Sequence, residues 1–248
     1  MLADVRTFGA FGFQGVAAVT SVTFQNAERF SGAVHQTGED VRAQVLPLLA
    51  DFRIVCSKTG MLPTREVVME VARLFRETDL PRPVVDPVIL SSTGYRLMEE
   101  KALDTFVKEL LPLARLVTPN ISEAETLTGI TITSEADMRR AASIIRQLGA
   151  PAVLIKGGHL GLQSAVGSRQ SLEEEAPGSE DAVDVLDDEG KVKAFREKRV
   201  RGAELHGSGC ILSAAIAAGL GKGMNLEDSV AEAKRFVLQA IRDSRLPN

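Results

Sequence analysis

Runs of β-branched and apolar residues in this chain are each bounded by turn signals, and helical patterns fall between them. Arg53–Ser57, Pro83–Asp86 (PVVD), Ala114–Thr118 and Ala152–Lys156 read as short buried strands, and Val16–Phe24 as a longer one. Helical segments lie near 39–50, 64–78, 98–111 and 134–148, and two more, near 208–221 and 226–242, close the chain. Strands separated by helices pair in parallel through crossovers, so the alternation predicts an α/β sheet wrapped by helices. The clearest helix opens at Ser134. Its hydroxyl suits a cap, Asp137 the reciprocal position, and Met138, Ala141, Ile145 and Leu148 share one face before Gly149 and Pro151 stop it. Pro47 predicts a kink or early end in the segment 39–50. Val183–Leu186 and Lys191–Phe195 form a predicted hairpin turning at Asp187–Gly190, behind a solvated acidic loop at 168–189. No repeat or linker divides the chain, so residues 1–248 are expected to form one domain.

Charge and composition remove several classes of function. With 29 basic against 33 acidic residues the net charge is −4, and no basic block offers a track for nucleic-acid phosphates. Ten Phe, one Tyr and no Trp make a poor base-stacking platform. Thr7–Ala27 carries no formal charge, but Gln14, Gln25, Asn26 and several Gly, Ser and Thr make a membrane span costly, and the run is expected to be interior sheet and turn. Cys56 and Cys210 read as free thiols of a reducing, cytoplasmic compartment.

Four segments could carry chemistry. His206-Gly207-Ser208-Gly209-Cys210 runs into an Ala-rich helix, whose first turn offers free N–H groups to an anion and favours a Cys210 thiolate. A Gly-rich turn with a small packed cysteine explains the same letters. Lys156-Gly157-Gly158-His159 ends a strand, where open α/β sheets gather ligands. There Lys156 reads either as a phosphate contact or as a solvated strand-end lysine. Asn120 and Glu123, three apart after another strand, form either a helix cap or water-mediated ligands of Mg²⁺. Asp86 adds a carboxylate to the same edge. A cation, carboxylates and a helix N-terminus on one rim suit phosphoryl transfer.

Taken in order, these segments resemble the ribokinase superfamily, and within it the hydroxymethylpyrimidine/phosphomethylpyrimidine kinases of thiamine biosynthesis. The resemblance rests on Ala3–Phe8, Gln25-Asn26, Lys58–Leu62, Val85–Val88, Thr118–Asn120 with Glu123, Lys156–His159 and His206–Cys210. It implies a three-layer α/β/α fold with a mostly parallel central sheet, ATP and Mg²⁺ as cosubstrate and cofactor, a small pyrimidine as acceptor, and a homodimer. It also implies roles. Gly207, Ser208, Gly209 and Cys210 would form the anion hole, with Cys210 where most ribokinase relatives carry a catalytic Asp. Lys156 would meet ATP phosphates, and Asn120, Glu123 and Asp86 would organise Mg²⁺. Gln25 would read the pyrimidine edge, and Met61 and Val88 would line the ring pocket. A pyridoxal or pyridoxine kinase, or a non-catalytic ligand-binding relative, are the alternatives.

Departures from the family pattern accompany the likeness. Family members carry a first strand and a GxDxSGGAG turn ahead of the residues that begin here at Met1-Leu2-Ala3-Asp4. The expectation is a start site assigned too far downstream, and a fold without the family's first strand. Leu205 stands where a Thr usually precedes His206, and the acidic loop before residue 189 is unusual in composition.

Overall fold

A computed structural model describes residues 1–26, 30–91, 94–158, 181–198 and 207–243. Its helices are α1 (Leu2–Ala10), α2 (Gly38–Asp51), α3 (Arg65–Glu77), α4 (Glu100–Thr105), α5 (Ile121–Thr128), α6 (Glu135–Gln147), α7 (Ser208–Gly221) and α8 (Leu226–Asp243). Strands β1 (Ser21–Gln25) and β2 (Phe30–His35) make a separate antiparallel ribbon. The main sheet has the order β3 (Lys58–Thr59), β4 (Val84–Val85), β5 (Leu116–Val117), β6 (Ala152–Gly157), β7 (Asp181–Asp188), β8 (Lys191–Lys198). Strands β3 to β6 are parallel neighbours, and the β7–β8 hairpin extends the sheet antiparallel.

Side-chain alternation along these short strands builds two cores. Val85, Val117, Val153 and Ile155 face a layer formed by α2 to α6, including Val68, Phe106, Met138 and Ile145. Val84, Leu116, Ala152 and Leu154 point the other way, against Ile216 and Ala218 of α7, Val230 of α8 and Phe11. The result is the expected α/β/α sandwich.

Local signals hold where they are strong. The Ser134–Asp137 capping box is present, and Met138, Ala141 and Ile145 are fully buried. A second box, Thr37–Asp40, starts α2, which continues through Pro47 to Asp51 instead of ending early. The helix expected over 98–111 is α4 followed by a π turn over Phe106–Leu110 and a 3₁₀ turn over Leu111–Leu113.

Other expectations need correction. The uncharged stretch 7–27 is not interior sheet, since α1 runs to Ala10 and β1 begins only at Ser21. Val22 and Phe24 are half exposed, and among the described residues no element covers that face of the ribbon. The strand expected at Arg53–Ser57 lies at Lys58–Thr59. The hairpin turns at Glu189-Gly190, both at positive φ, as a two-residue type I′ turn demands. Of the acidic segment 168–189, residues 168–180 lie outside the described residues. Its end is strand rather than solvated loop. Asp184 is buried, accepting from Gly157 N (2.9 Å) and Lys234 Nζ (2.6 Å), and Asp187 is buried beside Arg146 (3.4 Å).

The β6–β7 seam is closely packed. A Cβ at Gly157 would sit 2.0 Å from Val183 O and 2.8 Å from Met138 Cε, whereas one at Gly158 would meet nothing within 4 Å. Gly157→Ala is therefore expected to lower unfolding free energy by at least about 2 kcal/mol. Gly158→Ala should stay within about 0.5 kcal/mol. Urea denaturation checks the pair, and equal effects would contradict this packing.

Candidate active site

The carboxyl ends of β4, β5 and β6 bring the site together. Asp86 follows β4 directly, Lys156 lies near the end of β6, and Lys156 N donates to Pro119 O (2.9 Å), which aligns the segment after β5 with that edge. Asp86 is buried, at 3% exposure, and Lys156 Nζ donates to its Oδ1 at 2.9 Å. Thr118 Oγ1 donates to the same oxygen at 3.4 Å. Cys210 Sγ and Ser213 Oγ, both from α7, donate to Oδ2 at 3.5 Å each. One buried carboxylate thus ties two strand ends to the start of α7.

The first turn of α7 is arranged so that it can take an anion. Gly207 adopts φ +83°, a left-handed conformation that glycine takes without strain, and no described side chain caps the helix. The first intrahelical bond is Ile211 N to Gly207 O (3.0 Å), so the N–H groups of Ser208, Gly209 and Cys210 precede the ladder. A Cβ at Gly209 would lie 3.1 Å from Lys156 Nζ. The glycine makes room for a cation as well as for an incoming anion. His159, Leu205 and His206 lie outside the described residues.

At α5, Asn120 and Glu123 form a reciprocal capping box. Asn120 Oδ1 accepts from Glu123 N (2.9 Å), and Glu123 Oε2 accepts from Asn120 N (2.9 Å). Glu123 Oε1 also accepts from Ile89 N (3.4 Å). Ile89 follows Val88, whose φ of +42° is rare for a β-branched residue and marks stored backbone strain at the site's rim.

Burial and neighbouring charges set the protonation states. Burial works to raise the Asp86 pKa, but Lys156 and Lys58 outweigh it and hold the carboxyl below its usual range. Burial likewise opposes charge on Lys156, and Asp86 and Glu123 more than restore it, leaving the ammonium above the ordinary lysine value. Glu123 is pushed up, chiefly by burial. Burial also pushes the Cys210 thiol up to about 11, with the Asp86 charge adding to it and Lys58 and Lys156 opposing. The expected thiolate is therefore not favoured. Desolvation outweighs the helix terminus, and Cys210 is a neutral donor at pH 7.

Among the described residues, no three His, Cys, Asp or Glu side chains converge as a cation site. Asp86, Asn120 and Glu123 do not form a direct ligand cage, because each already accepts hydrogen bonds. Glu123, whose carboxyl accepts from only two donors, keeps lone pairs for the waters of a hydrated divalent ion, and the buried Asp86 adds negative charge next to it.

The residues that the family resemblance assigns to the acceptor are more dispersed. Met61 O accepts from Thr20 Oγ1 (2.7 Å), which ties the segment after β3 to the foot of the ribbon. Gln25 is exposed at the bulged end of β1, and no described hydrogen bond or ion pair joins its side chain to the Asp86 cluster. Thr118, Ser213, Lys58 and Asp4 belong to the site without a role that the sequence patterns assign. Lys58 is 4% exposed, and its ammonium donates to Asp4 Oδ1 of α1 at 3.2 Å. The available signal was the parallel between Lys58-Thr59-Gly60 and Lys156-Gly157-Gly158, a lysine at a strand end ahead of glycine.

This fold and this rim define a small-molecule phosphotransferase of the ribokinase-like class. A family model described as phosphomethylpyrimidine kinase matches residues 1–247, and the chain belongs to that family. It is 38% identical to the hydroxymethylpyrimidine/phosphomethylpyrimidine kinase of Streptomyces coelicolor, over 96% of this chain and 82% of that protein. The Bacillus subtilis kinase of the same name is 33% identical over 98% and 83%. Among solved structures, phosphomethylpyrimidine kinase from Clostridium difficile superimposes with a TM-score of 0.77 at 32% identity, covering 96% of this chain and 91% of that one. An ADP complex of Bacillus subtilis pyridoxal kinase gives 0.80 at 29% identity, covering 95% and 83%.

Removing Asp86 leaves Lys156 buried without its partner. Asp86→Ala is expected to cost about 3–5 kcal/mol of stability, and Asp86→Ala/Lys156→Met to recover part of it. The Asp86 contribution is full above the carboxyl's unfolded pKa of 3.8 and disappears as pH falls through its lower folded value. Urea titrations of wild type and both variants at pH 7 check this. A double variant no more stable than Asp86→Ala would contradict it.

Proposed function

We propose that this protein transfers the γ-phosphoryl group of ATP first to 4-amino-5-hydroxymethyl-2-methylpyrimidine and then to its monophosphate, in thiamine biosynthesis. The observation that carries the reading is the Asp86–Lys156 pair beside the uncapped first turn of α7. Kinases named for both pyrimidine acceptors, at 33–38% identity, support this acceptor over pyridoxal.

In this reading Lys156 and the Ser208, Gly209 and Cys210 amides hold the transferring phosphoryl group, and charge on its oxygens is met by groups already in place. Gly207 sets the turn that aims them. The neutral Cys210 thiol, whose S–H is given to Asp86 Oδ2, is a positioning group rather than a base, which suits a loose transition state that asks for little proton removal. Asp86 and Glu123, with Asn120, would hold Mg²⁺ through water, and the ion when bound would neutralise phosphate charge. Gln25 would contact the pyrimidine edge, with Met61 and Val88 against the ring. In the first turnover the acceptor's hydroxymethyl oxygen forms the new P–O bond as the bond to the ADP oxygen breaks, and its proton passes to an oxygen of the transferred phosphoryl group and from there to water. In the second, an oxygen of the acceptor's phosphate does so.

We also read the chain as a cytoplasmic homodimer. Two free cysteines support the compartment, and the half-exposed Val22, Phe24 and Val34 of the ribbon support self-association. No helix among the described residues is long and apolar enough to cross a membrane.

A coupled ADP-release assay tests the reading. Turnover on the pyrimidine alcohol and its monophosphate is expected to exceed that on pyridoxal at least tenfold. Cys210→Ala should lower kcat by about 10²-fold, and Cys210→Ser, which keeps a neutral donor, should recover most of it. Pyridoxal as the preferred acceptor, or full activity in Cys210→Ala, would overturn the assignment.

A further inference from the structure

Lys58 is a buried ammonium with donors to spare. Its side chain is 4% exposed, yet among the described residues its only hydrogen bond goes to Asp4 Oδ1, at 3.2 Å. An ammonium carries three N–H donors, and burying unused ones costs free energy unless an acceptor arrives. Burial works against its charge and the Asp86 and Asp4 carboxylates favour it, so Lys58 is a cation. Space is reserved for it as well. A Cβ at Gly60 would stand 3.2 Å from Lys58 Nζ, the counterpart of the gap Gly209 leaves for Lys156.

The two lysines reach the same carboxylate region from different sides. Lys156 comes from β6 and lies against the first turn of α7. Lys58 comes from β3 at the other end of the parallel strands, with β4 and β5 between, and opens the segment that continues to Met61. Phosphoryl transfer to an alcohol needs cations only around the transferring group. Transfer to a phosphate brings a second anion into line with the first, and the repulsion must be met on the acceptor side too.

We propose that Lys58, held in place by Asp4, is the acceptor-side cation that binds the phosphate of a phosphomonoester acceptor and so gives the site its hold on the monophosphate over the alcohol. This rests on the pyrimidine-kinase reading above. Asp4 acts through Lys58 and is a positioning residue. It fixes one N–H and leaves the others for phosphate oxygens, which form stronger hydrogen bonds with an ammonium than a neutral hydroxyl does.

Calorimetric titration of the full chain without ATP tests this, using the pyrimidine alcohol and its monophosphate as separate ligands. Lys58→Met is expected to cut the ratio of monophosphate to alcohol affinity about 30-fold or more, and Lys58→Arg to retain most of it. Should Lys58→Met fail to fold with Asp4 left unpaired, Asp4→Asn/Lys58→Met removes both charges and is expected to show the same change in ratio. An unchanged ratio in the charge-free variants, with wild type binding both ligands, overturns the role of Lys58 and leaves the kinase reading standing. Wild type that binds neither pyrimidine overturns both.

Discussion

The site depends on one buried ion pair. Asp86 and Lys156, 2.9 Å apart, connect the ends of β4 and β6 inside a rim that otherwise consists of loops and helix starts. Separating two such charges in a low-dielectric interior is costly, so each fixes the other. The remaining contacts build outward from that pair. Cys210 and Ser213 bring α7 onto Asp86, Thr118 brings the end of β5, and Gly209 lets Lys156 approach the α7 amides. The geometry that suits phosphoryl transfer therefore follows from satisfying one desolvated carboxylate.

The same constraint explains the chemistry of the cysteine. A helix N-terminus favours a thiolate, but Cys210 sits beside a carboxylate that lysines hold ionised, in a site that excludes much of the water. A second anion there would be opposed by the first. The thiol stays neutral and donates, and the positive work at the rim falls to backbone amides and lysine ammoniums. Strain at Val88 has a matching logic. Its left-handed backbone aims the next amide, Ile89 N, at the buried Glu123 carboxyl.

Legibility in the sequence followed how local the stabilising interactions are. The Ser134–Asp137 box, the β6 run ending at Lys156 and the Asn120–Glu123 cap are written in adjacent letters, and each stands where expected. Helix α1 was not legible. No side chain caps it, and it is held instead through Phe8 and Phe11 packing with Ile216 and Phe236, more than 200 residues away. Residues 16–24 carry strand letters, yet nothing in them shows that the ribbon would stand apart from the main sheet. Within the site, Asp86 and Lys156 were legible as strand-end charges on one rim. Their direct pairing, and the burial that keeps Cys210 protonated, depend on long-range packing that spacing does not encode.

The central claim is that residues from distant parts of the chain meet around one phosphoryl position. Backbone amide chemical shifts of the ¹⁵N-labelled protein, followed as ADP–aluminium fluoride is added with Mg²⁺, test it most directly. The largest changes are expected at Ser208, Gly209 and Cys210, with smaller ones at Lys156 and in the loop around Asp86. Binding of the complex that leaves the α7 first turn unmoved, with its changes confined to a distant face, would contradict it.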